Sequence, residues 1–138
     1  MEISPAQATL LAALLGALVL LCVHTRNAYR TASAKFRSTI LGELKSVYPL
    51  PAQWPQDIDA FLRRAFPQLQ AAVAEFRAVV PIWRRRRFDQ AWMTYRNTYG
   101  REQDNQVYHH YIGFDDMPDP KEAFRQNVER LLSYAHAT

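Results

Sequence analysis

Residues 6–23 are apolar or small apart from Gln7 and Thr9, and from Leu10 to Val23 the only heteroatom in a side chain is the thiol of Cys22. Eighteen residues of helix cover about 27 Å at 1.5 Å each, against a bilayer hydrocarbon core of about 30 Å. This pattern predicts a transmembrane helix. Its start is marked locally. Ser4 is placed to cap the first free amides, Pro5 takes the first helical position where its missing N–H costs nothing, and Gln7 stands three residues after the cap to close a capping box.

Past Arg26 the pattern becomes amphipathic. Phe36, Ile40, Leu44 and Val47 recur at spacings of three and four with no proline among them, which predicts that the membrane helix runs straight on into a juxtamembrane helix. Tyr48-Pro49-Leu50-Pro51-Ala52-Gln53-Trp54-Pro55 then breaks the helix three times, since each proline lacks a donor and restricts its predecessor. A second helix is expected from near Pro55, with Asp57 and Asp59 at its positive end. Its apolar stripe is Ile58, Phe61, Leu62, Phe66, Leu69, Val73, Phe76 and Val80. Pro67 lies inside that stripe and predicts a kink or a break into two helices.

A third helix is expected from Pro81, with Phe88, Trp92, Tyr95 and Tyr99 on one side and Gly100 as its stop. Residues 101–118 have no clear period and read as a loop, although Val107-Tyr108-His109-His110-Tyr111-Ile112 is rich in strand-favouring types. The last helix has Asp119 as cap, Pro120 in first position and Glu122 to complete a box. Phe124, Val128, Leu131 and Leu132 form its stripe, and it ends near Ala135.

These elements predict an all-α fold: one N-terminal transmembrane helix followed by a compact cytoplasmic domain of three to four helices. The divisions fall at 1–25 for the anchor, 26–48 for the juxtamembrane helix and 49–138 for the small helical domain. Hydrophobic residues at 49% and aromatics at 12% argue for a packed interior, and four glycines against eight prolines fit helices punctuated by prolines. The single cysteine excludes an intrachain disulfide framework.

Charge settles the expected sidedness. Arg26, Arg30, Lys35 and Arg37 follow the apolar run, whereas only Glu2 precedes it, so the domain is expected on the cytoplasmic face. The same N-terminal flank lacks the basic region of a secretory signal, no small-residue cleavage pattern follows, and Leu21 before Cys22 does not suit a lipoprotein site; an uncleaved anchor is expected. Ala8, Ala12 and Gly16 recur every four residues, with Ala13 and Ala17 beside them. They are candidate helix-to-helix contacts for a homodimer seam, set against the plain abundance of alanine in apolar helices.

The net charge of +4 hides a polarity. Residues 26–101 carry fourteen Lys and Arg against five acids, whereas residues 102–138 carry three against seven. The most concentrated part is Arg84, Arg85, Arg86 and Arg87 between Trp83 and Phe88, with Trp92 one turn further. These are the candidate lipid- or partner-binding residues. Three readings compete: contact with anionic lipid, pairing with nucleic acid, and internal pairing with Glu102, Asp104, Asp115, Asp116 or Asp119.

His109, His110 and Asp115 are weak candidates for a metal site, because adjacent histidines point apart and no H-x-x-x-H or C-x-x-C spacing supports them. No nucleophile elbow, P-loop or dinucleotide fingerprint is present, and no cofactor is implied. The residues therefore point to a membrane-anchored, non-enzymatic interaction module with a protein partner or the inner-leaflet surface. The alternatives are a small membrane-bound enzyme or metal-binding protein using the His109 and His110 region, and a membrane-tethered nucleic-acid binder.

Overall fold

The structure is a computed structural model that describes residues 4–96, 108–113 and 119–136. Its elements are α1 (Pro5–Glu43), α2 (Ile58–Val79), α3 (Ile82–Arg96), a 3₁₀ turn at His109–Tyr111, α4 (Pro120–Leu132) and a 3₁₀ turn at Ser133–Ala135. Among the described residues there is no strand.

The N-terminal capping box forms as its residues dictate: Gln7 N–H donates to Ser4 Oγ at 3.4 Å and Ser4 N–H to Gln7 Oε1 at 3.1 Å. The hydroxyls of Thr9 and Thr25 bond back to the Pro5 and Cys22 carbonyls, so neither leaves an unpaired donor on the apolar segment. α1 is one helix of 39 residues, about 58 Å long. It is long and apolar enough to cross a membrane, and among the described residues none of its most apolar stretch is buried. The same helix then changes role. Ser33, Phe36 and Ile40 are buried in the domain core, and Leu44 and Val47 continue that stripe into the turn beyond.

α2 begins where Asp57 accepts from the Ala60 amide at 2.9 Å. It passes through Pro67 as one element rather than breaking into two. Pro67 lies on the exposed side between buried Phe66 and Leu69, so the Arg63 carbonyl that it deprives of a donor is on the face open to solvent while core packing holds both flanks.

Ring contacts give the helix directions. Phe76 near the end of α2 stacks on Phe36 of α1 at 4.6 Å and lies 5.8 Å from Tyr29, so α2 returns toward the apolar end of α1. Phe88 early in α3 meets Phe36 and Phe76, and Trp92 one turn later meets Phe66. α3 therefore runs away again. Phe124 early in α4 packs on Tyr95 and Tyr111, whereas Tyr134 just beyond α4 packs on Phe88. The domain is thus an up-down-up-down bundle in which the second half of α1 supplies one helix. Its corner between α2 and α3 lies at the same end as residues 25–29.

At the far end, the stretch read as a loop contributes to the core. Tyr108 and Tyr111 are buried, and the Tyr108 amide donates to Asp59 Oδ1 at 2.6 Å. Asp119 caps α4 by accepting from the Lys121 amide at 3.0 Å. Glu122, expected to close a box with it, is instead held by Arg125 and Gln126 one turn on, where a bidentate guanidinium is a stronger donor than a single amide. Tyr99, Gly100 and Phe114 lie outside the described residues.

Candidate functional site

The corner that joins α2 to α3 is built from Val80, Pro81 and the arginine run. Val80 turns the chain into extended backbone, and the Pro81 carbonyl accepts from the amides of Arg84 and Arg85 at 2.8 and 3.1 Å. Arg85 folds back over this corner. Its Nε donates to the Val80 carbonyl at 2.9 Å and its Nη2 to the Ala78 carbonyl at 3.0 Å. Those carbonyls are the orphan acceptors at the negative end of α2, where a cation is stabilising.

The four arginines therefore separate. Arg85 closes the corner, and Arg84 lies over the Tyr134 ring with its guanidinium carbon 5.1 Å from the centroid. Arg86 and Arg87 are exposed, on the same face of α3 as Ile82, Trp83 and Gln90. Ile82 is 77% and Trp83 81% exposed, the most exposed large apolar side chains among the described residues. Arg87 also borders an open groove of about 560 Å³ between α3 and α4, with Arg130 across it and Met93 and Tyr134 in its wall.

Among the described residues, no ion pair joins Arg84, Arg85, Arg86 or Arg87 to an acid. Of the acids expected to neutralise the run, Glu102, Asp104, Asp115 and Asp116 lie outside the described residues, and Asp119 is occupied with its cap. α4 pairs within itself, because Glu122 and Glu129 both bind Arg125. Of the basic middle, Lys35 pairs with Glu75, Arg63 with Asp59 and Arg77 with Asp89.

Trp92 sits in a different setting from Trp83. It is half-buried between Phe66 at 6.2 Å and Tyr95 at 5.4 Å, both nearly parallel to it, and the Arg96 guanidinium covers Phe66 and Trp92 together. Its stacking faces are spent on the fold. The structure thus brings Trp83, Arg86 and Arg87 onto one open face and sets Trp92 apart.

The histidines are also divided. His109 is exposed, while the His110 ring packs 3.8 Å from Tyr111. His110 Nε2 lies 3.1 Å from the Tyr95 carbonyl, which also accepts from Tyr111 Oη at 2.8 Å. A carbonyl only accepts, so His110 carries its proton on Nε2, and Nδ1 is left buried without a partner. Burial pushes the imidazole below its ordinary range, more strongly than the Tyr95 carbonyl raises it. Burial likewise raises the Tyr95 phenol well above the ordinary value and the Tyr108 phenol to about 12 despite nearby Arg96. Among the described residues no group of three His, Cys, Asp or Glu side chains could hold a metal; Asp115 lies outside them.

Ala8, Ala12, Ala13, Gly16 and Ala17 are all exposed along α1, and a Cβ added at Gly16 would meet nothing within 4 Å. Ile82 escaped the sequence reading. Its signal was its place beside Trp83, one helical turn before Arg86.

Comparison of the chain with known protein families, curated proteins and solved structures finds no match.

Proposed function

We propose that this chain is a single-pass membrane protein whose helical domain stands on the cytoplasmic side as a non-enzymatic interaction module, presenting the basic and aromatic face of α3. The observation that carries the reading is the split character of α1. Its turns from Leu10 to Val23 are apolar on every side and uncovered, while its turns from Ser33 to Ile40 are core. A helix apolar all round calls for a nonpolar surrounding, and leaving so large a surface in water is unfavourable by about 25 cal/mol per Å². The four bases that follow the apolar run support the cytoplasmic side.

The interaction role rests on Trp83, Arg86 and Arg87, since Trp and Arg are the side chains that most often carry binding energy. Two measurements test the reading. The protein should resist alkaline carbonate extraction from native membranes, with its C-terminal domain shielded from protease added outside sealed cells. Extraction with the peripheral proteins, or cleavage from outside, would overturn the anchor or its sidedness. Purified in mild detergent, it should carry a partner or lipid that the combined Trp83→Ala, Arg86→Gln and Arg87→Gln variant loses. Identical co-purification by that variant would remove the α3 face from the proposal.

A further inference from the structure

The corner between α2 and α3 has a definite height on α1. A cleft of about 520 Å³ separates the two, walled by Thr25 and Tyr29 on one side and by Val79, Pro81, Ile82 and Trp83 on the other. Residues 25–29 follow the last apolar residue, Val23, by two to six positions, which places them about 3–9 Å further along the helix axis. The headgroup layer of one leaflet is about 5–8 Å thick, half the difference between a bilayer of about 40–45 Å and its core of about 30 Å. If α1 crosses a membrane, Ile82 and Trp83 stand at headgroup depth.

The order of side chains on that face fits such a place. α3 climbs away from the corner, so Arg86 and Arg87 sit one turn, about 5.4 Å, further from the hydrocarbon than Ile82 and Trp83. An amphipathic indole at the water boundary with guanidinium groups above it is the arrangement that anchors proteins to an anionic leaflet. Arg86 and Arg87 are exposed, and among the described residues no acid pairs with them.

We infer that Ile82 and Trp83 form a second membrane contact, entering the headgroup layer of the leaflet crossed by α1 while Arg86 and Arg87 lie against the phosphates of anionic phospholipid. This inference rests on the anchor reading above. The contact fixes the tilt and rotation of the bundle on the membrane and holds the groove beside Arg87 and Arg130 at a constant height above it. A bundle held by α1 alone leaves both free.

The full-length protein, placed in lipid nanodiscs with brominated acyl chains, separates the two claims. Failure to co-elute with the discs overturns the anchor, and this inference with it. Once the protein is incorporated, discs of phosphatidylcholine with phosphatidylserine should quench tryptophan fluorescence, and Trp83→Phe should remove most of that quenching with helix content unchanged. The exposed Trp83 makes this substitution neutral for folding, and Trp54 and Trp92 remain as internal references. Each of Arg86→Gln and Arg87→Gln should lower the ratio of docked to undocked domain roughly fivefold, the equivalent of one surface cation. Incorporated protein whose quenching is the same with and without Trp83 overturns the contact while the anchor stands. Quenching by Trp83 that is equal in discs of pure phosphatidylcholine and indifferent to both arginine changes overturns the anionic part.

Discussion

The hydroxyl of Tyr29 donates to the main-chain carbonyl of Tyr134, tying the turn of α1 that leaves the apolar segment to a residue 105 positions later in the chain. The Tyr29 ring also leans on Phe76, so one side chain joins α1, α2 and the end of α4. Tyr29→Phe keeps the ring and loses the bond. The expected loss is about 0.5–1.5 kcal/mol, read as a lower unfolding midpoint of the full-length protein in detergent micelles.

Phe36 and Leu15 stand on the same helix and should respond oppositely. Phe36 is buried between Phe76 and Phe88, so Phe36→Ala should destabilise the domain by about 3–5 kcal/mol in denaturant titration. Leu15 touches no part of the domain core and is exposed, so Leu15→Ala should leave the same midpoint unchanged. Equal effects would mean that the two halves of α1 are not separate in role.

Asp59 secures the Tyr108 amide from within the core and pairs outward with Arg63 at 2.7 Å. Asp59→Ala strands a buried N–H and should cost about 1–3 kcal/mol, whereas Asp59→Asn keeps an acceptor and should cost less. Arg63 is half-exposed, so Arg63→Ala should matter little by comparison. Hydrogen exchange at the Tyr108 amide would rank the three directly.

The buried imidazole of His110 makes stability depend on pH. Its folded pKa lies below the ordinary value of 6.5, so below that value the unfolded chain binds more protons than the folded one. Stability should therefore be full above about pH 6.5, fall as acidification proceeds toward the folded pKa, and level off below it. His110→Gln should flatten that part of the profile in thermal melts at pH 5 to 8, with the exposed His109→Gln as the control that keeps it.

Gly113 has φ of +80°, a backbone region that L side chains rarely adopt. A Cβ there would also meet Pro120 Cγ at 2.8 Å, against the first turn of α4. Gly113→Ala should cost about 1–2 kcal/mol from backbone strain alone, with more from the contact. A variant with an unchanged melting midpoint would refute this account of the turn.

How much was legible in the chain follows from the range of each interaction. The Ser4 and Gln7 box and the Asp119 cap lie within three residues of their partners, so spacing was enough to find them, whereas Asp57, expected in the first turn of a helix from near Pro55, is itself the cap of a helix that starts at Ile58. The apolar stripes of α2 and α4 were equally plain, because helical period alone selects one face. Of the kink or break expected at Pro67, the break does not occur. The local cost of Pro67 is real, but packing of Phe66 and Leu69 outweighs it, and packing is not written in the residues around the proline.

The length of the apolar run, the all-helical class and the Ser4 and Asp119 caps were determined by the sequence itself, since each depends on neighbours within a turn or on hydrophobic length. The tertiary structure decided which residues of the basic and aromatic run face outward. Four identical arginines acquired different partners: carbonyls at the end of α2 for Arg85, the Tyr134 ring for Arg84, and open solvent for Arg86 and Arg87. Trp92 was taken into a stack with Phe66 while Trp83 was left outside. The physical reason is that a side chain's exposure depends on what another helix places against it, and those helices lie far away in sequence and close only in the folded bundle.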